Sequence, residues 1–192
     1  MRRINVTGTS CSGKSTLARR LATRLRLPYV EFDACFWGPD WTPVPEALFR
    51  EQLRAALAAD GWVADGGYAS HRDITWERVD TIVWLDYPMP IVLGRWARRT
   101  VTRIRSGEEF WPGTGNRESV GNALRRGGLL WWILRTHRSR RRRTLERLAT
   151  RPDLRLVRLR SPREADRWLA GLQPSSASAS TTDGAMASAQ KP

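Results

Sequence analysis

Gly8 and Gly13 bracket four small side chains, Thr9, Ser10, Cys11 and Ser12, and Lys14, Ser15 and Thr16 follow at once. The stretch fits G-x-x-x-x-G-K-[ST] at every fixed position, after the apolar run Ile4-Asn5-Val6 and before an arginine-rich amphipathic segment starting at Leu17. Two glycines free the backbone to wrap an anion, so that successive N–H groups and the start of a helix point at it. A polyphosphate suits that geometry: Lys14 reaches the β- and γ-phosphates, and the Ser15 hydroxyl is placed to ligate Mg2+. Thr16 packs or caps within the first turn. The plainer reading, a glycine-rich turn capped by serines, sits poorly with a strand before the loop and a helix after it.

Lysine is scarce, with only Lys14 and Lys191 in the chain, so a point-like ammonium stands where phosphate chemistry needs one. A formal charge of +14 on 192 residues implies polyanionic partners: nucleotides, nucleic acid or anionic lipid. Charge alone does not choose among them. Cys11 and Cys35 lack metal-ligand spacing and read as free thiols in a reducing cytosol. No leader is read before the first strand, and no apolar run reaches the roughly 20 residues that span a bilayer. One soluble, cytoplasmic domain with a single core is expected.

The elements that position the loop follow from periodicity and breakers. A helix over 14–26 ends before Leu27-Pro28, and a strand over 29–32 delivers Asp33 to its carboxyl end. Residues 36–43 form an aromatic, proline-punctuated loop before a helix over 45–59, with Leu48, Phe49, Leu53, Ala56 and Leu57 at helical spacing and Gly61 as its stop. Strands over 62–65 and 81–86 end in Asp65 and Asp86. A helix over 90–104 carries Leu93, Ala97, Val101 and Ile104 on a buried stripe. Its second stripe, Arg95, Arg99 and Arg103, either meets an anion or splays into solvent.

Residues 106–115 read as a flexible loop, and Asn116 caps a long helix reaching 150. That helix has an apolar centre over 129–134, then Arg135, Arg138 and the run Arg140, Arg141, Arg142 and Arg143. A last strand over 154–159 and a helix over 162–172, capped by Ser161, precede a tail from 173 with no apolar periodicity, expected to be disordered. Alternating strands and helices predict an α/β fold with a parallel sheet, whose ligands gather at the strands' carboxyl ends. Gly8, Asp33, Asp65 and Asp86 should meet on that edge.

In this order the pieces resemble the nucleoside monophosphate kinase branch of P-loop proteins, which includes adenylate and shikimate kinases. Within it the chain looks most like bacterial adenylate kinase-like or DNA topology modulation proteins. The resemblance is carried by GTSCSGKST, FDACFW from Phe32, WVADGGY from Trp62, TIVWLDYP from Thr81, GNRES, and LLWWILRTHRSRRR, and covers about residues 2–172. It implies a three-layer P-loop fold: a five-stranded parallel sheet flanked by helices, in a domain over 1–172 with an arginine-rich helical lid over about 100–145. It also implies ATP and Mg2+, with transfer of the γ-phosphate to a small acceptor.

By the same resemblance Asp65 holds Mg2+ through water, with Asp86 as runner-up. Arg95 lies against the adenine and Arg99 on the phosphates. Arg135 and Arg138 are the lid arginines, with Arg141 as a substitute.

The acceptor side departs from the pattern. Adenylate kinases follow their Asp-Gly turn with a phosphate-gripping Phe-Pro-Arg, whereas this chain has Gly67-Tyr68-Ala69. Arg72 either replaces that grip or is a surface arginine. Asp33 resembles the position at which shikimate-type kinases anchor a hydroxyl. It either orients and deprotonates an attacking hydroxyl or caps the following turn.

His71 and His137 fit no metal pattern and are not expected to be catalytic. Trp62, Trp84 and Trp131 read as core, and Trp37, Trp41 and Trp111 as loop residues suited to substrate contact. Arg50 and Arg54 hold an acidic acceptor group or form a solvated face. The leading expectation is a phosphotransferase acting on a nucleotide and a small acceptor. The alternatives are a nucleotide-regulated protein that binds nucleic acid through residues 135–143, or an ATPase switch. Nothing in the sequence specifies the oligomeric state.

Overall fold

Strand β1 (Arg3–Gly8) is the centre of a five-stranded parallel sheet in the computed structural model, which describes residues 1–67 and 72–173. Its neighbours are β3 (Trp62–Asp65) and β4 (Thr81–Leu85), with β2 (Tyr29–Glu31) and β5 (Arg155–Leu159) at the edges, in the order β2-β3-β1-β4-β5. Register pairs Val6 with Asp65 and Gly8 with Leu85, so the phosphate-loop glycine and the carboxylate of β3 emerge side by side.

Alternation across the pleat builds a core on each face. Ile4, Val6, Val63 and Val83 turn toward α1 (Lys14–Leu25) and α8 (Pro162–Ala170), with Leu17, Leu21 and Leu169 packed against them. Trp62, Ala64, Ile82 and Trp84 turn the other way, onto Phe49 and Leu53 of α3 (Glu46–Ala56) and onto Phe32. Helices on both faces of a parallel sheet complete the three layers. Both cysteines are free. Among the described residues no helix is long and apolar enough to cross a membrane.

Several expected elements differ. Strand β2 stops at Glu31, and Asp33 sits in a short helix, α2 (Phe32–Phe36), rather than at a strand end. The next helix is α3, shorter than 45–59, and its Leu48 is exposed. After α4 (Arg72–Trp76), helix α5 (Met89–Ser106) buries Val92 and Thr100, not the Leu93-Ala97-Val101-Ile104 stripe; Val101 is 48% exposed. The helix is rotated because its arginines find partners on the inner side.

The long helix expected over 116–150 is two: α6 (Val120–Leu124), capped by Ser119, and α7 (Leu129–Ala149). Gly127, at φ 93°, and Gly128, where a Cβ would overlap the carbonyl of Asn122, break it. Asn116 is not a cap. The tail from 174 lies outside the described residues, as do Tyr68, Ala69, His71 and the side chain of Arg72.

Candidate phosphate-binding site

The chain leaves β1 through Gly8, at φ 153°, where a Cβ would lie 2.9 Å from both the Leu85 carbonyl and Ser12 Oγ. Only glycine fits that approach. Ser12 N–H donates to Thr9 O at 3.1 Å and closes the loop. Gly13, at φ 93°, is the N-cap of α1; no side chain caps the helix and no acidic residue stands in its first turn. The first-turn N–H groups, which have no partner within the helix, are thus presented to an external anion. Thr9 and Ser12 are buried, and Ser12 Oγ has no hydrogen-bond partner among the described residues. Ser10 and Cys11 are partly exposed, with Cys11 at φ 63°. Thr16 is exposed and does not pack.

Beneath the loop, Lys14 Nζ donates to Thr9 O at 3.3 Å. Burial lowers the Lys14 pKa, against the pull of the Asp33 and Asp65 carboxylates. At Asp65 burial raises the pKa, opposed first by a hydrogen bond from the Ser15 hydroxyl and then by the Lys14 charge. Tyr29 OH lies 3.1 Å from Asp65 Oδ1 and 3.2 Å from Glu31 Oε2, and its phenol is pushed up by burial and by both carboxylates.

Ser15 and Asp65 form a pair of hard oxygens fitted to Mg2+, which takes one or two protein ligands and completes its shell with water and phosphate. Among the described residues no cluster of three or more His, Cys, Asp or Glu offers an all-protein cage. Asp86, the alternative carboxylate, has a buried side chain that is already committed: Arg141 Nε donates to it at 2.9 Å and Arg158 Nη2 at 2.6 Å.

Three arginines of α5 converge on the loop and its surroundings. Arg95 Nη1 donates to Ser12 O at 2.7 Å, occupies the space a Cβ on Gly13 would need, and stacks over Tyr87. Arg99 Nη1 lies 3.5 Å from Cys11 Sγ, and Arg99 and Arg103 both sit over the Phe110 ring. Burial, and then the Arg99 charge, lower the Arg103 pKa. Arg135 and Arg138 are exposed on α7. The residues of that helix nearest the loop are His137, whose Nδ1 is 3.0 Å from Thr9 Oγ1, and Arg140, whose charge depresses Lys14. Burial also lowers the His137 pKa. The Thr9–His137 contact escaped the sequence reading, since its partners are 128 residues apart.

On the acceptor side Asp33 is exposed, yet close enough to act on the Lys14 charge. Trp37, Trp41, Phe110 and Trp111 pack edge to face beside it, with Trp41 4.9 Å from Phe110 and 6.0 Å from Trp37. Trp111 Nε1 donates to Glu31 Oε1 at 3.4 Å. Within residues 106–115, Phe110 and Trp111 are therefore packed, while Glu108, Pro112, Gly113 and Gly115 stay exposed. Trp62 and Trp84 are core as expected, whereas Trp131 is 39% exposed. Arg50 is taken by Asp73.

No family model matches the chain, and no curated protein does. Among solved structures, a sugar kinase from Janibacter sp. HTCC2649 superposes with a TM-score of 0.50 at 21% identity, covering 88% of this chain and 93% of that one. The fold is that of the P-loop kinases. A gluconokinase from Sinorhizobium meliloti 1021 gives a TM-score of 0.48 at 21% identity over 88% of this chain and 91% of its own. A shikimate kinase from Bacteroides thetaiotaomicron gives 0.45 at 14% over 88% and 94%.

Proposed function

We propose that the chain is an ATP-dependent phosphotransferase of the adenylate kinase-like branch, acting in the cytoplasm on a small hydroxyl-bearing or nucleotide acceptor. The observation that carries this reading is the uncapped N-terminus of α1 above a half-buried Lys14 and a Ser15–Asp65 pair. Mg-ATP bound there supplies an activated γ-phosphate and the cation that neutralises its oxygens.

The chain's own residues do the rest. The N–H groups of the loop hold the β-phosphate, and Lys14 balances the charge that spreads over the transferring group. Ser15, and Asp65 through water, would hold Mg2+. Arg95 covers the loop on the base side, and Arg99, already beside Cys11, reaches the phosphates. Asp33 accepts the proton of an acceptor hydroxyl or orients it. The aromatic rings from Trp37 to Trp111 wall the acceptor.

The test is transfer of labelled γ-phosphate to a panel of nucleoside monophosphates, small polyols and hydroxy acids, and oligonucleotides, with water as control. Label on one acceptor class, lost in Lys14→Ala, is expected. Label only on inorganic phosphate makes the protein an ATPase switch. A second reading, nucleic-acid binding by a nucleotide-regulated protein, is favoured by one feature: Trp131, Arg135, Arg138 and Arg142 share the exposed outer face of α7. It requires affinity for single-stranded oligonucleotide that falls steeply as salt rises.

A further inference from the structure

The turn Pro39–Trp41 holds two non-glycine residues in the left-handed region, Asp40 at φ 53° and Trp41 at φ 57°. Each is disfavoured for an L-residue and persists only where the surroundings fix it. Within the turn Gly38 N–H donates to Thr42 O at 2.8 Å and Thr42 N–H to Pro39 O at 3.0 Å; the hold from outside is Asn116, 1% exposed and 75 residues from Trp41, whose Oδ1 accepts from Trp41 N–H at 2.8 Å. The same amide's Nδ2 donates to Gly38 O at 2.9 Å.

Each segment is also closed on itself. Trp37 pairs with Pro43, and Glu109 with Arg117. Asn116 O receives the Phe110 N–H at 2.8 Å, so the residue that grips the first turn also folds the second. Trp41 then lies on Phe110 and Trp111, and Phe110 carries the guanidiniums of Arg99 and Arg103.

We propose that Asn116 is a positioning residue that locks the strained 39–41 turn to the 107–117 segment. The aromatic acceptor wall and the arginines over Phe110 then move as one body. Arg99, which touches Cys11, ties that body to the phosphate loop, so seating an acceptor against Trp41 sets the arginine that faces the transferring phosphate. The catalytic half of this claim rests on the phosphotransferase reading; the mechanical half does not.

Hydrogen exchange on the full chain without ligands tests the mechanical half. Asn116→Ala should speed exchange in 37–43 and in 107–117 together, by about tenfold or more, while residues 8–16 keep their rates and Mg-ATP affinity stays within about twofold. Should that variant not fold, Asn116→Asp is read instead. It keeps an acceptor for Trp41 N–H but loses the donor to Gly38, and the same paired rise is expected, smaller. Asp40→Gly, which relaxes one left-handed residue, should shrink the effect of Asn116→Ala. A rise confined to one segment, or none in either, overturns the proposal.

The catalytic half is read with the acceptor found by label transfer. Acceptor KM should rise about tenfold in Asn116→Ala with the ATP KM unchanged, and equal rises in both would overturn it. If no acceptor is found and Mg-ATP does not bind, the phosphotransferase reading fails while paired exchange still stands.

Discussion

The phosphate loop and the arm formed by residues 107–149 are both positively charged, and they hold that charge in opposite ways. At the loop a single ammonium, Lys14, stands half-buried within reach of the Asp33 and Asp65 carboxylates, and burial lowers its pKa; Asp65 beside it, itself buried, is shifted up by the same cause. On the arm Arg135, Arg138, Arg142 and Arg143 are exposed. Enclosed charge is costly and persists where a ligand or opposite charge will meet it. Exposed charge costs little and says little. Between them lies Asp86, which fastens Arg141 of the arm and Arg158 of β5 to the end of β4.

Breaking the loop side should matter most. Lys14→Ala should lower turnover by about 10³-fold with the fold intact, measured by label transfer beside a melting curve. Asp65→Asn should lower Mg2+-dependent turnover by about 10²-fold and yet raise, not lower, the melting temperature of the ligand-free protein at pH 7. The sign follows from linkage. A carboxylate whose folded pKa is raised penalises the fold above that pKa, and the penalty vanishes below its unfolded value of roughly 4. The melting gap should therefore close as pH falls toward 4, and a variant less stable at pH 7 breaks the contrast.

Asp86→Ala tests the junction. Leaving Arg141 and Arg158 without their partner should cost about 1–3 kcal/mol in chemical denaturation, with turnover reduced less than about tenfold. The smallest effect belongs to the open side: Arg135→Ala with Arg138→Ala should leave turnover within about twofold and shorten retention on a polyanion column. A large loss of turnover there would move the two arginines into the site.

The enclosed side was legible because it is local. Gly8, Gly13, Lys14 and Ser15 take their geometry from backbone spacing within nine residues, and the strand ending in Asp65 brings its carboxylate by parallel register with β1. The five strands read correctly for the same reason, as short apolar runs bounded by breakers. What was not legible depends on contacts distant in sequence. Asn116 looks like a helix cap, a role common for asparagine, until its partners 75 and 78 residues away are seen.

The buried face of α5 was misjudged because hydrophobic periodicity takes the aliphatic stripe as the inner one and leaves Arg95, Arg99 and Arg103 to an anion or to solvent, whereas Phe110, Tyr87 and the Ser12 carbonyl give them partners within the chain. The break before α7 did carry a signal, the Gly127-Gly128 pair. The aliphatic and indole run over 129–134 masked it, and only Ile133 of that run is buried.

Titration of Mg-ATP into the folded protein by calorimetry, beside Lys14→Ala, tests the central claim that the bend between β1 and α1 grips a nucleotide's phosphates. One equivalent taken up by the natural sequence, and at least tenfold weaker uptake by the variant, is predicted. No uptake by the folded natural sequence, or equal uptake by both, would contradict it.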